Sequence, residues 1–125
     1  MIIILDHQDR RPIYEQVTER FRILIYQEAL PSGSRLPSVR QLAMDLSINP
    51  NTIQRAYAEL EQEGLIYSIK GKGNFVADTR SIQEKKRGDY RKELIQTVHK
   101  GQEIGISREE LVTVVDQCYE EGNHD

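Results

Sequence analysis

Ser38-Val39-Arg40-Gln41-Leu42-Ala43-Met44-Asp45-Leu46, then Ser47-Ile48-Asn49-Pro50, then Asn51-Thr52-Ile53-Gln54-Arg55-Ala56-Tyr57-Ala58-Glu59-Leu60 is the stretch on which the fold turns. Val39, Leu42, Ala43 and Leu46 recur at helical spacing behind Pro37, with Ser38 placed as N-cap. Ile53, Ala56, Tyr57 and Leu60 repeat the pattern in a helix predicted from Pro50 or Asn51 to about Glu63, where Gly64 stops it. The four residues 47–50 between them make a turn of the length that joins two helices at a steep angle.

Reading outward completes the unit. On the N-terminal side, Ile13, Val17, Phe21, Leu24 and Ile25 share one stripe of a helix predicted from Pro12 to Leu30, with Pro12 in its first turn and Pro31-Ser32-Gly33-Ser34 as its stop. On the C-terminal side the period changes. Leu65 to Ile69 and Asn74 to Ala77 read as two short strands, joined by the glycine-rich tip Lys70-Gly71-Lys72-Gly73. Helix, helix, turn, helix, hairpin is the order of a winged helix-turn-helix. The expected class is therefore mainly α with a small β-hairpin.

The chain is expected to divide near residue 78, into a winged helix-turn-helix over 1–78 and a helical dimerisation region over 79–125. Asp78 to Gly88 is polar and reads as a linker, or as an exposed helical turn running on into helix. Tyr90, Leu94, Ile95 and Val98 then recur at helical spacing up to Gly101, and Gly105 marks a break. Ser107 and Glu110 form a capping box that opens a last helix with the stripe Leu111, Val114, Val115, Cys118 and Tyr119. Two such helices cannot bury both stripes alone, so Leu94, Ile95, Val98, Leu111, Val114, Val115 and Tyr119 are expected to meet a second copy of the chain.

Composition bounds the function. The chain has 125 residues, 38% hydrophobic and 30% charged, with a net charge of -3, which excludes most multi-domain enzymes and a blanket polycation. Any nucleic-acid site must be local. One cysteine, Cys118, cannot form an intrachain disulfide, and the run Met1 to Leu5 is too short and lacks the basic flank for a signal or membrane span. The expected home is a reducing cytoplasm, without membrane contact.

Placement of charge then points to double-stranded DNA. Residues 1–78 hold nine Lys or Arg and ten Asp or Glu, yet between Leu46 and Ala58 the sole charged side chain is Arg55. Glu59, Glu61 and Glu63 crowd the far end of the same helix. Its first half offers Asn49, Asn51, Thr52, Gln54 and Arg55: amides suited to an adenine edge, a guanidinium suited to guanine or phosphate, and a helix N-terminus that favours phosphate. Arg35 and Arg40 flank the preceding helix, the Ser38 hydroxyl can meet a phosphate, and Lys70 and Lys72 arm a hairpin thin enough for a minor groove.

The run Arg35 to Ala43, then Asn49 to Tyr57, Leu60-Glu61, Glu63-Gly64-Leu65-Ile66 and Gly71-Lys72-Gly73-Asn74-Phe75-Val76, with Pro12-Ile13-Tyr14-Glu15-Gln16 ahead of it, resembles the DNA-binding domain of the GntR family of bacterial transcription regulators. The resemblance spans roughly residues 10 to 78. The remainder of the chain is similar to the YtrA subfamily, whose C-terminal part is a small helical dimerisation unit; other branches need a longer chain. The resemblance implies a homodimeric repressor of a nearby transport or stress operon, bound to an inverted repeat. By position, it implies DNA contacts from Arg40, from Asn49, Asn51, Thr52, Gln54 and Arg55, and from a wing tip of Lys70, Gly71 and Lys72. Many members carry a guanine-reading arginine where this chain has Pro50, so the operator sequence does not follow from the family.

Plainer roles exist for several of these residues. Arg40 could pair with Asp45, Asn51 and Thr52 could serve as caps, and Arg35 could solvate a turn. Lys85-Lys86-Arg87 reads as a solvated face and stays outside the site, Tyr57 and Tyr67 as core aromatics with wet hydroxyls, and Cys118 as a small core residue. No nucleophile elbow, phosphate loop or paired acids suggest an enzyme, and no cofactor is expected. The rival functions are a winged-helix module that binds protein, and a repressor that also senses a metal or an unidentified small-molecule effector through its C-terminal helices. His99, Asp116, Cys118 and His124 lack tight metal-ligand spacing, so no metal site is expected.

Overall fold

The computed structural model describes Ile3 and residues 5–122; Met1, Ile2 and Ile4 of the opening run, and His124, lie outside the described residues. The chain divides into two compact units, Met1–Arg80 and Ser81–Asp125. In the first, α1 (Ile13–Tyr26), α2 (Val39–Leu46) and α3 (Pro50–Gln62) precede an antiparallel hairpin of β1 (Ile66–Ile69) and β2 (Gly73–Val76). This is the winged helix-turn-helix order that the hydrophobic periods predict.

Caps set the helix boundaries. The Ser38 Oγ accepts from the Gln41 backbone N–H at 3.0 Å and starts α2. Ser47, in the left-handed region with φ 55°, ends it. Asn49 Oδ1 accepts from the Asn51 N–H at 2.8 Å, with Pro50 in the first position of α3, so the capping side chain is Asn49 rather than Asn51 or Thr52. Gly64, at φ 80°, follows the last turn as expected. At α1 the structure corrects the sequence: the helix stops at Tyr26, four residues before Leu30, because Glu28 turns left-handed at φ 61° and the Leu30 N–H donates back to the Leu24 carbonyl. Pro12 caps α1 from outside its first turn. The strands are likewise shifted, with Leu65 and Ala77 outside them and Gly73 inside.

The core lies where the stripes meet. Val17, Phe21 and Ile25 of α1 pack with Leu42 and Ala43 of α2, Ile53, Ala56, Tyr57 and Leu60 of α3, and Leu36, Leu65, Ile66 and Val76, all buried. The Phe21 and Tyr57 rings meet edge to face at 5.5 Å. Tyr57 is buried and its hydroxyl donates to the Pro37 carbonyl at 2.7 Å, so it is not wet, and burial raises its pKa above the ordinary phenol value. Tyr67, by contrast, is exposed on the hairpin and stacks on Phe75. The hairpin gains a third edge from the segment before α2: Gly33 donates to the Val76 carbonyl, Val76 to Ser34 and Leu36 to Asn74, at 2.8 to 2.9 Å.

In the second unit, the polar segment after Asp78 is helix rather than linker. α4 runs unbroken as Arg80–Glu103, with Asp78 accepting from the Arg80 N–H and pairing with its guanidinium at 2.7 Å. It passes through Gly101 and ends before Gly105, whose φ is 83°. α5 (Arg108–Gly122) opens with the Ser107 Oγ accepting from the Glu110 N–H, as the capping box predicts.

Tyr57→Phe should lower the unfolding free energy by about 1 to 2 kcal/mol, because it leaves the Pro37 carbonyl without its partner. Phe21→Ala should cost about 3 to 5 kcal/mol through the cavity beside Tyr57. Urea unfolding of both variants followed by circular dichroism checks the order; a Tyr57→Phe midpoint equal to that of the unmodified chain would remove the hydroxyl from this account.

Candidate nucleic-acid interface

The first half of α3 presents what its sequence suggested. Asn49, Asn51, Gln54 and Arg55 are exposed and Thr52 is half-buried, while Ile53, Ala56 and Tyr57 turn into the core. Capping uses only the Asn49 carbonyl oxygen, so its amide N–H groups remain free to donate. Ser38 is similar: its oxygen accepts from Gln41, and its O–H can still donate. Arg40, exposed on the first turn of α2, does not pair with Asp45, which instead accepts from the Gln41 amide at 2.8 Å.

The structure moves Arg35 from the edge of α2 to the hairpin. Its backbone bridges Phe75, and its guanidinium lies over Gly73, where an added Cβ would meet Nε at 3.1 Å. Lys70, Gly71 and Lys72 are exposed at a tight tip closed by the Lys72 N–H donating to the Ile69 carbonyl at 2.9 Å. Gly71 and Gly73 both have positive φ, 80° and 121°, and Gly71 opens onto free space. The two glycines are thus needed for different reasons, one for the turn and one for the turn and for Arg35.

Along α3 the charges are sorted by α1. Glu63 receives both a 3.1 Å and a 3.0 Å hydrogen bond from the Arg22 guanidinium, and that contact holds the Arg22 pKa above its ordinary value. The Thr18 hydroxyl gives its single proton to the Tyr14 carbonyl at 2.8 Å; Glu59 lies 3.5 Å from that oxygen and adds its charge to that of Glu63 in raising the Arg22 pKa. Arg55 has no carboxylate partner among the described residues; its guanidinium carbon sits 3.6 Å from the centre of the Tyr14 ring. Tyr14 is the residue that charge counting missed, and the signal for it lay in the Pro12-Ile13-Tyr14 opening.

Elsewhere, among the described residues, no three or more His, Cys, Asp or Glu side chains converge to hold a metal. His99 hydrogen-bonds Gln102, and Cys118 is exposed rather than a core residue. No helix among the described residues is long and apolar enough to cross a membrane. On the C-terminal helices Leu94, Ile95, Val114, Val115 and Tyr119 are exposed, Tyr119 to 75%, and Val98 is half-buried. Leu111 is half-buried near Gly101. Ile104 and Val112 are also exposed, outside the stripes counted from sequence.

The model of bacterial regulatory proteins of the gntR family matches residues 13–76. The HTH-type transcriptional repressor YtrA of Bacillus subtilis is 33% identical over 112 residues, which cover 88% of this chain and 86% of that one. A GntR family transcriptional regulator from Listeria monocytogenes superposes with a TM-score of 0.68 at 34% identity, over 90% of this chain and 98% of that one. The AraR DNA-binding domain, solved in complex with operator ORX1, matches with a TM-score of 0.52 at 32% identity, over 58% of this chain and 87% of that one.

The two tip glycines should respond differently to substitution. Gly71→Asn should cost less than about 1 kcal/mol, since asparagine tolerates the left-handed region and meets nothing there. Gly73→Asn should cost about 1 to 3 kcal/mol and displace the Arg35 guanidinium. Thermal unfolding, with the Arg35 side-chain resonances as a local probe, checks both; equal costs would remove Arg35 as the reason for Gly73.

Proposed function

The chain belongs to the GntR family of bacterial regulatory proteins and resembles its YtrA-like members along most of its length, and from that premise we propose a homodimeric repressor that grips an inverted-repeat operator. It is a DNA-binding transcription regulator with a winged helix-turn-helix. The observation that carries the finer proposal is the polarity of α3: Glu59 and Glu63 engage α1, while Arg55 and the amides of the first half face solvent. A phosphate backbone rewards that separation, and a protein partner would not require it. In this role Asn49, Asn51, Thr52 and Gln54 read base edges; Arg35, Ser38, Arg40 and Arg55 hold phosphates or guanine; Lys70, Gly71 and Lys72 approach the minor groove.

The unit over residues 1–78 does the binding, and residues 79–125 bring two copies together through the exposed stripes of α4 and α5. A two-fold pair offers two recognition helices to half-sites about one helical turn apart or a multiple of it. Such a regulator works in the cytoplasm, needs no cofactor, performs no catalysis and controls a nearby operon of transport or stress genes, with an unidentified small molecule as its releasing signal.

On a palindromic duplex that the protein itself selects from random sequence, log affinity should fall with log salt by about 0.9 per phosphate neutralised. Arg40→Ala should weaken every duplex most. Asn51→Ala or Gln54→Ala should erode discrimination between operator variants by about 1 to 3 kcal/mol, and Lys72→Ala should weaken all duplexes evenly. Anisotropy titrations decide it: a flat salt plot, or full affinity in the Arg40 variant, contradicts this function.

Leu94→Asp with Val115→Asp should leave both units folded, since both side chains are exposed in the single chain, but should abolish the dimer. Affinity for the full palindrome should then drop by about 10²- to 10⁴-fold, toward that for a half-site. Sedimentation velocity with a matched titration measures it. A monomeric unmodified chain, or undiminished operator affinity in the variant, ends the dimer proposal.

A further inference from the structure

Three side chains of α1, each one helical turn from the next, meet two of α3 and the residue that caps its C-terminus, spaced in the same way. Tyr14 meets Arg55, Thr18 meets Glu59 and Arg22 meets Glu63. The separation in sequence is 41 residues at each rung. Two rungs take up acids, and the rung nearest the start of α3 takes up a cation with a neutral ring. We infer that Tyr14 is a positioning residue for DNA binding: its ring carries the Arg55 guanidinium and keeps it from collapsing onto Glu59. This inference rests on the proposed contact between Arg55 and a phosphate.

Arg55 and Glu59 stand four positions apart on one helix, the spacing at which an arginine and a carboxylate close an ion pair. No such pair is formed here; Glu59 lies beside Thr18 and acts electrostatically on Arg22, while Arg55 stacks on Tyr14. An aromatic face attracts the guanidinium without neutralising it, and a stacked guanidinium keeps its N–H edges free for a phosphate. A carboxylate in the same place would occupy those edges and cancel the charge. The ring also restricts a long side chain that would otherwise lose its rotamer freedom on binding. The Tyr14 hydroxyl is already committed, donating to Glu15 Oε1 at 3.2 Å, so the ring rather than the O–H is the working part.

The test uses the full chain and a short duplex of mixed sequence, on which binding rests on phosphate contacts. Tyr14→Leu should weaken binding about tenfold, the scale of one charged hydrogen bond, and should flatten the log–log salt slope by about 0.9, one phosphate. Tyr14→Phe should stay within about twofold of the unmodified chain. Glu59→Gln should restore most of the affinity and slope in the Tyr14→Leu background and gain clearly less in the unmodified chain, a coupling that a merely structural tyrosine would not show. Urea unfolding confirms that each variant is folded, and Tyr14→Met replaces the leucine variant if that one is not. The inference is overturned if Tyr14→Phe binds as poorly as Tyr14→Leu, or if Glu59→Gln gains equally in both backgrounds. Arg55→Gln separates the two layers: full affinity and slope in that variant bring down the Arg55–phosphate contact and the positioning role together, whereas a loss there without a loss in Tyr14→Leu brings down the positioning role alone.

Discussion

Three helices of the first unit converge on one side chain. Tyr57 belongs to α3, its ring is wedged edge-on against Phe21 of α1, and its hydroxyl is tied to the carbonyl of Pro37, one residue before the cap of α2. A buried phenol must find an acceptor, and the acceptor it finds is backbone, which fixes a position more tightly than a flexible side chain would. That bond ties α3 to the segment that opens α2, and the left-handed Ser47 ends α2 at the turn between them. Once α3 is fixed there, its exposed first half has no freedom to point elsewhere.

Much of this was written in the residues. Apolar stripes of period 3.6 placed the helices of the first unit, the glycine-rich tip between two short runs placed its hairpin, and the caps Ser38, Ser107 and Gly64 could be named because each satisfies or ends a helix by chemistry that depends on residue type alone. What sequence could not give were the features made by tertiary contact. The early end of α1 depends on Glu28 adopting a conformation that glycine usually supplies, so its sequence carries no stop there. The segment after Asp78 reads between linker and helix because its polar residues have no stripe to decide the period; it is helix. Tyr57 and Tyr67 look alike in the sequence, yet one is enclosed and the other lies on the hairpin surface.

The candidate site shows the same division. Counting charges located the contrast between Arg55 and the glutamates behind it, because that contrast lies within a single helix and every turn of it can be laid out from the sequence. Counting could not find that α1 holds the glutamates, nor that Arg35 belongs to the hairpin rather than to α2. Both are pairings between segments distant in sequence. The net charge of -3 is therefore a poor guide to this surface: an acidic chain can present a cationic edge when its acids are tied down elsewhere.

The third edge of the hairpin has a mechanical consequence. A two-stranded hairpin alone is marginal in water and would sample many orientations, whereas here β2 is bonded on both sides, to β1 and to the segment Gly33–Leu36 that leads directly into Pro37 and the cap of α2. The wing and the helix-turn-helix are one stiff piece, and the name wing misleads if it suggests flapping. The Val76 amide should be slow to exchange with solvent, and the backbone entropy lost in placing the tip is spent at folding, before any duplex arrives, whereas the exposed Lys70 and Lys72 side chains keep theirs until they bind.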